Sequence, residues 1–271
     1  QRPIFGYKGI ALSSLSIAIV GSLVWGHHMF TSGQSIYASV VFSFLTFFVA
    51  IPTAIKVFSW VATLYRGHIQ LSPPMMYVFT FLALFMIGGL TGVVLGALSL
   101  DVHLHDTYFV VAHFHYVMMG GAIIAYIGGL HHWWPKIFGR MYPKKLANFT
   151  SILVFVSFNL TFFPMFLVGS RGMPRRYYEY LATFESLNQI ASVGAVLLGL
   201  SLFLTLGYLI WGAIWGPVAS RNPWNALSLE WRTESPPIEH NFHGQPTVSG
   251  GPYDYPVGPG PATTLGEGAP V

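Results

Sequence analysis

Asp101-Val-His-Leu-His-Asp-Thr-Tyr-Phe-Val-Val-Ala-His-Phe-His-Tyr116 is the stretch on which the reading of the fold turns. It opens polar, with Asp101, His103, His105 and Asp106, and then enters an apolar run that continues to Trp134. A bilayer core needs about 20 mostly apolar residues per helix. Ionisable side chains at depth in such a span are costly and usually functional. The stretch therefore predicts a membrane helix entered through a polar mouth, with His113 and His115 inside it. At about 100° per residue, positions i and i+2 point about 200° apart. From a regular helix such a pair cannot chelate one ion. It can ligate two separate centres on opposite faces, or hydrogen-bond to two neighbouring helices.

The rest of the chain agrees with a membrane protein. Of 271 residues, 53% are hydrophobic and 8% are charged, against about 25% charged in an average soluble domain. This excludes a conventional soluble enzyme, and equally a disordered chain, which needs low hydrophobicity and high charge. The mean hydropathy is +0.56. There are no cysteines, hence no disulfide and no cysteine-ligated metal. The 11 histidines outnumber the 9 acidic residues, a first pointer to metal chemistry.

Six stretches have spanning length, at 9–30, 36–64, 75–100, 107–134, 149–169 and 187–215. Breakers separate them: Ser32-Gly33, Pro73-Pro74, 101–106, 135–145 and 172–180. The predicted class is an all-α polytopic membrane protein, with a six-helix unit at 1–216 and a tail at 217–271. Ten of the 18 prolines fall in that tail, which reads as extended, solvent-facing and without a core of its own. The sequence opens at Gln1 without the small-residue cleavage site of a signal peptide, and reads as part of something larger or as processed.

Six spans put both termini on one side. That side holds Arg2, Lys8, Arg66, Lys136, Arg140, Lys144, Lys145, Arg221 and Arg232. The other holds Arg171, Arg175 and Arg176. The positive-inside rule then makes the termini cytoplasmic. The net charge of +4 orients the chain and is no sign of nucleic-acid binding.

Three further groups carry chemistry. His27-His28, near the outer end of the first span, can both reach one ion if the helix loosens there, and imidazole suits copper; a histidine pair at a helix end can equally be interfacial. His131-His132, the same dipeptide beside Trp133-Trp134, reads as interfacial, with no ligand role. Lys56 lies ten residues from Arg66, about 15 Å along the helix, too deep for snorkelling alone. With Thr53 and Ser59 three residues either side, it forms a polar stripe that can hold water and pass protons. At the outer face, His105 and Asp106 make a metal site or a helix cap, and Arg175-Arg176 call for bound anionic groups or for lipid headgroups.

Together these features resemble subunit I of the haem–copper cytochrome c oxidases, in its C-terminal half, from about Arg2 to Glu230. The motifs are Arg2-Pro-Ile-Phe-Gly-Tyr7, Val24-Trp-Gly-His-His-Met-Phe-Thr31, Pro52-Thr-Ala-Ile-Lys-Val-Phe-Ser-Trp60, Gly88-Gly-Leu-Thr-Gly92, His105-Asp-Thr-Tyr-Phe-Val-Val-Ala-His-Phe-His-Tyr116 and Gly172-Met-Pro-Arg-Arg-Tyr177, in family order and spacing.

The resemblance implies a role for each residue. His113 would be the axial ligand of the oxygen-reducing haem (haem a3), and His115 an axial ligand of the electron-donating haem (haem a). His27 and His28 would be two of three ligands of the active-site copper. Lys56 and Thr53 would lie on a proton-uptake path. His105 and Asp106 would bind a non-redox magnesium, Arg175 and Arg176 would hold haem propionates, and Asp101 would sit near them. The implied reaction is reduction of dioxygen to water with electrons from cytochrome c, coupled to proton pumping. The implied setting is a lipid bilayer, with oxidase subunits II and III and the chain that carries the family's first six helices. Those six helices carry the second ligand of the low-spin haem and the third copper histidine.

Gly26 and Ala54 are small-for-small departures from the family pattern. Pro164-Met165-Phe166, in place of a more polar version, and an extra Arg171 point to a bacterial branch and so to the bacterial cytoplasmic membrane. Two other readings stay open: a quinol oxidase of the same superfamily, against which Asp106 and Tyr108 argue, and a non-catalytic membrane assembly subunit.

Overall fold

The computed structural model describes residues 3–248, 250–251 and 253–254. The expectations resting on Arg2 and on residues 255–271 lie outside them. Among the described residues, six helical runs are long and apolar enough to cross a membrane: Tyr7–Met29, Ile36–Leu64, Pro73–Gly96, Tyr108–Phe138, Lys144–Ser170 and Ala182–Trp215. The chain is an all-α polytopic membrane protein.

The helices are α1 (Tyr7–Gly21), α2 (Ile36–Leu64), α3 (Pro73–Gly96), α4 (Leu98–Leu104), α5 (Tyr108–Val117), α6 (Ile124–Phe138), α7 (Lys144–Ser170) and α8 (Glu185–Trp215). Local chemistry sets their starts. Ser35 Oγ accepts from Ala38 N at 3.2 Å and caps α2. Thr107 Oγ1 caps α5 by accepting from Phe109 N at 3.2 Å. Pro73 and Pro74 are not a break but the first turn of α3, where the missing N–H costs nothing.

In three of the spans the departure from expectation has a direct local reason. The third stops at Gly96 rather than 100, because Ser43 of α2 intervenes. Its hydroxyl donates to Gly96 O at 2.6 Å and accepts from Leu98 N at 3.2 Å. The two backbone groups are satisfied from outside, and the chain restarts as α4. The fourth runs through Pro135 to Phe138. A proline orphans the carbonyl four residues back, and here that carbonyl, His131 O, accepts from Tyr142 Oη at 3.0 Å. The fifth starts at Lys144 rather than 149, since its polar first turn is helical too. Between α5 and α6, Met118–Ile123 forms a π-helical turn inside one continuous span.

The pairs α1–α2, α2–α3, α3–α5, α3–α6, α5–α7 and α7–α8 pack together. Helix α5 thus packs against both α3 and α7, which also touch each other. The main core runs through Tyr77, Leu84, Tyr116, Ile124, Val154 and Phe158.

The tail is not simply solvent-facing. Its first part closes over the bundle end that carries the α6–α7 loop. Met141 N donates to Pro217 O, and Ala219 N to Gly139 O, both at 2.9 Å. Trp224 Nε1 donates to His132 O at 2.9 Å, and Trp231 is buried. Lys136, expected in a basic loop, is 5% exposed. Its Nζ donates to the carbonyls of Arg221 (3.2 Å), Thr233 (2.8 Å) and Glu234 (3.1 Å), and lies 5.4 Å from the Trp231 ring centroid. A buried cation needs such a cage, and the Pro-rich composition of the tail hid it.

Hydrogen bonds from a charged donor contribute about 1.5–3 kcal/mol each. Lys136→Met is expected to release residues 217–235, raising their amide exchange at least ~10-fold, or about 1.4 kcal/mol, while exchange in α3 and α7 stays unchanged. Hydrogen–deuterium exchange read by mass spectrometry checks it; unchanged protection of the tail would show that the cage is not what holds it.

Candidate metal and cofactor site

Helix α5 carries the two deep histidines on opposite faces, as the spacing requires. His113 faces α3. Its Nδ1 donates to Gly88 O at 3.0 Å and lies 3.2 Å from Thr91 Oγ1. A carbonyl only accepts, so the proton sits on Nδ1, and Nε2 keeps its lone pair. A Cβ on Gly92 would stand 2.8 Å from His113 Cε1, so only glycine there leaves the ring its place. His115 faces α7. Its Nδ1 donates to Val111 O at 2.8 Å, and its ring stacks on Phe162 with centroids 4.2 Å apart.

The first span breaks after Gly21 and re-forms as a 3₁₀ turn, Trp25–Met29. That is the loosening which lets two consecutive histidines converge, and their Nε2 atoms are 3.0 Å apart. Gly26 matters more than a small-for-small exchange implies: a Cβ there would lie 2.3 Å from the Phe42 ring. Thr46 Oγ1 donates to Phe42 O at 2.6 Å and sits 3.1 Å from His27 Nδ1. His27 therefore donates from Nδ1 and offers an Nε2 lone pair. His28 supplies the proton between the two Nε2 atoms, and would have to carry it on Nδ1 to share an ion.

One cavity of about 470 Å³ gathers His27, His28, Thr46, Thr53, Gly92, Asp101, His105, Asp106, His113 and Arg175 in its lining. At its mouth the α4–α5 and α7–α8 connections are stitched together. Tyr108 N donates to Met173 O at 3.0 Å, and Arg175 N to Asp106 O at 2.8 Å. Asp106 and Arg175 also form an ion pair. Asp101, 5% exposed, lies with Oδ2 2.8 Å from His105 Nδ1. Burial raises the Asp101 carboxyl above the ordinary carboxylate range, and the hydrogen bond from His105 offsets only part of this.

The sequence-predicted residues separate into those the cavity collects and those it does not. Arg175 reaches the cavity, while Arg176 is exposed, at φ 58°. Thr53 lines the wall, donating to Val49 O at 2.7 Å. Lys56 does not line it, and its Nζ lies 5.8 Å from the Trp60 ring centroid. Ser59 is buried, and a Cβ on Gly6 would lie 3.6 Å from its Oγ, so the expected stripe divides between two surroundings. His115 lies outside the cavity.

Sequence reasoning missed Thr46 and Thr91, which fix two histidine tautomers; the signal was a hydroxyl on the helix face that the histidine meets. It also missed the burial of His131. This residue is fully enclosed by the bundle, with Nδ1 2.7 Å from Ile127 O and Nε2 2.6 Å from Tyr208 Oη. Its partners lie far along the chain, so no local window shows them.

The donor chemistry fits a haem on each face of α5, each imidazole having Nδ1 committed and Nε2 free, the usual preparation of a metal-ligating histidine. Arg175 Nε is buried with no hydrogen-bond partner, an opening for an anionic group. His27 and His28 fit two ligands of one ion, since nitrogens about 2.0–2.1 Å from a metal can be 3.0 Å apart. Among the described residues no three His, Asp or Glu side chains form a metal-holding group.

The family model described as Cytochrome C and Quinol oxidase polypeptide I matches residues 1–197. A Synechocystis protein named cytochrome c oxidase subunit 1 is 48% identical over 255 residues, covering 94% of this chain and 46% of the relative. A cytochrome c oxidase subunit 1 of Cereibacter sphaeroides is 43% identical over 249 residues, covering 91% and 44%. A chain from a cryo-EM structure of a heme-copper terminal oxidase dimer superposes with a TM-score of 0.65 at 25% identity, over 73% of this chain and 40% of that one. The chain spans less than half the length of these relatives.

The stitched mouth depends on how closely α5 approaches α7. A Cβ on Gly169 would fall 1.9 Å from Phe109 N. Gly169→Val is expected to cost about 3 kcal/mol or more, the upper end of overpacking penalties, and to lower the thermal midpoint of the detergent-solubilised protein. A midpoint within 1 °C of wild type would count against this approach being fixed.

Proposed function

The chain belongs to the cytochrome c and quinol oxidase polypeptide I family, and on that premise we propose that it forms the C-terminal half of the catalytic subunit of a terminal respiratory oxidase. The complex reduces dioxygen to water with electrons from cytochrome c and pumps protons across the bacterial cytoplasmic membrane. The termini face the cytoplasm, as the distribution of basic residues favours. The partners are the six remaining helices of the subunit, subunits II and III, and cytochrome c. One observation carries the reading: a single cavity takes His27, His28 and His113 on one side of α5, while His115 faces away from it.

When bound, two haem irons and a copper supply the one-electron chemistry. The chain's own residues prepare for them. Gly88 O and Thr91 hold the His113 proton on Nδ1, and Val111 O does the same for His115. Thr46 holds His27 with its Nε2 lone pair facing His28. Arg175 and Arg176 supply positive charge for haem propionates, with Asp101 on the same rim. His105 and Asp106 are two donors toward a magnesium ion that needs oxygen ligands from elsewhere. Thr53 and Lys56 move protons toward the cavity. Thr53 has donated its own hydroxyl proton to Val49 O, so its oxygen is free to accept. Lys56 sits one turn further from the cavity.

His27→Ala in the assembled complex is expected to lower copper per complex at least ~10-fold, the scale on which even outer-shell changes act on metal affinity, with haem content unchanged. Metal analysis reads this directly; full copper retention would remove His27 from the ligand set. Lys56→Met should slow reduction of the oxygen-reducing centre by about 10²-fold, the low end for a lost proton-transfer group, again at unchanged haem content. Stopped-flow absorbance measures that rate, and wild-type kinetics would refute the proton role.

A further inference from the structure

Mid-span polar groups in α7 are costly unless they have partners. Asn159 is the sixteenth residue of a 27-residue membrane helix. Its Nδ2 donates to Phe155 O at 2.8 Å, and its Oδ1 accepts from Tyr116 Oη at 2.8 Å. Tyr116 is fully buried and follows His115 directly. Three residues on from Asn159, on the same helix face, Phe162 lies against the His115 ring at an interplanar angle of 18°. Two consecutive residues of α5 are therefore held by two residues of α7, one through a hydrogen bond and one through a flat stack.

These contacts fix different degrees of freedom. The Tyr116–Asn159 bond sets the rotation of α5 about its own axis, and with it the direction in which His115 leaves the helix. The His115 Nδ1–Val111 O bond restrains the ring tilt. It leaves the ring plane free to swing about that bond, and the Phe162 face stops the swing. The Phe114 ring, 4.5 Å from His115 at 29°, is a chain neighbour and moves with α5, so it supplies no outside reference.

We propose that Asn159 and Phe162 are positioning residues that set the plane and direction of the His115 imidazole toward its haem. The inference rests on the reading of His115 as an axial ligand. It adds a device, carried by α7, that tunes a centre α7 does not itself ligate. Outer-shell groups that orient a ligating imidazole tune the metal it holds.

The test uses the assembled oxidase, with three variants and a control. Phe162→Leu removes the flat face at similar volume, Asn159→Leu removes the acceptor, and Phe162→Tyr keeps the face. Phe162→Leu and Asn159→Leu are expected to retain haem per complex. Each should shift the g-anisotropy of the low-spin ferric EPR signal, and change the reduced-to-oxidised ratio at the wild-type midpoint at least ~3-fold, whereas Phe162→Tyr stays at wild type. His115→Ala is the control and should lose the low-spin signal. If His115→Ala keeps that signal, the ligand reading itself fails. If it loses the signal while Phe162→Leu and Asn159→Leu keep the wild-type spectrum and midpoint, only the positioning inference fails. Loss of assembly in both leucine variants, with Phe162→Tyr shifted as well, assigns these residues to packing alone and also overturns it.

Discussion

The architecture depends on one angular constraint. Two imidazoles two residues apart on a helix leave it on opposite sides, so α5 needs a partner on each flank. Helix α3 supplies one, with Gly88 O and Thr91 receiving His113. Helix α7 supplies the other, with Phe162 against His115. Once α5 is placed between them, the cavity falls on the α2–α3 side, where the 3₁₀ turn carrying His27 and His28 closes it. A one-residue change in that spacing would swing one ring by about 100° and leave one flank without its imidazole.

In lipid the apolar exterior supplies no driving force for helix association, so packing, small residues and satisfied polar groups must supply it. Several irregular or polar points of the helices have partners that satisfy them. Ser43 takes both backbone groups freed at Gly96, Tyr142 takes the carbonyl orphaned by Pro135, and Asn159 accepts from Tyr116 and donates to Phe155. Lys136 follows the same rule outside the apolar belt, with three carbonyls in place of water. Irregular backbone at membrane depth is tolerated where protein covers it, and these contacts are the cover.

Much of this was legible from the sequence, because spanning length and histidine spacing are local properties. The six spans and the division of His113 from His115 follow from counting residues along a helix, whereas the convergence of His27 with His28 needed the helix to loosen, as the 3₁₀ turn does. The rest is non-local. His131 reads as interfacial beside Trp133 and Trp134, and only the fold brings Tyr142 and Tyr208 to it. Pro73 and Pro135 read as breaks, because whether a proline interrupts a helix depends on its position in the turn and on who takes the orphaned carbonyl. The tail reads as coreless because its two anchoring tryptophans are diluted among prolines and glycines. Thr91 stands in the motif Gly88-Gly-Leu-Thr-Gly92 without an evident task until His113 is seen beside it.

The π-helical turn at Met118–Ile123 has a consequence for how the fourth span can vary. A π turn holds one residue more than an α-turn, so it absorbs an extra residue between two helices of one span. The upstream segment keeps its histidines aimed at α3 and α7, while the downstream segment presents His131 and Trp134 to the opposite end of the bundle. Deleting one residue within the turn would return it to a regular α-turn, with α6 close to its present facing and neither deep histidine moved. The turn can thus take up a one-residue change in length between the two ends of the span, while the near end keeps His113 and His115 in place.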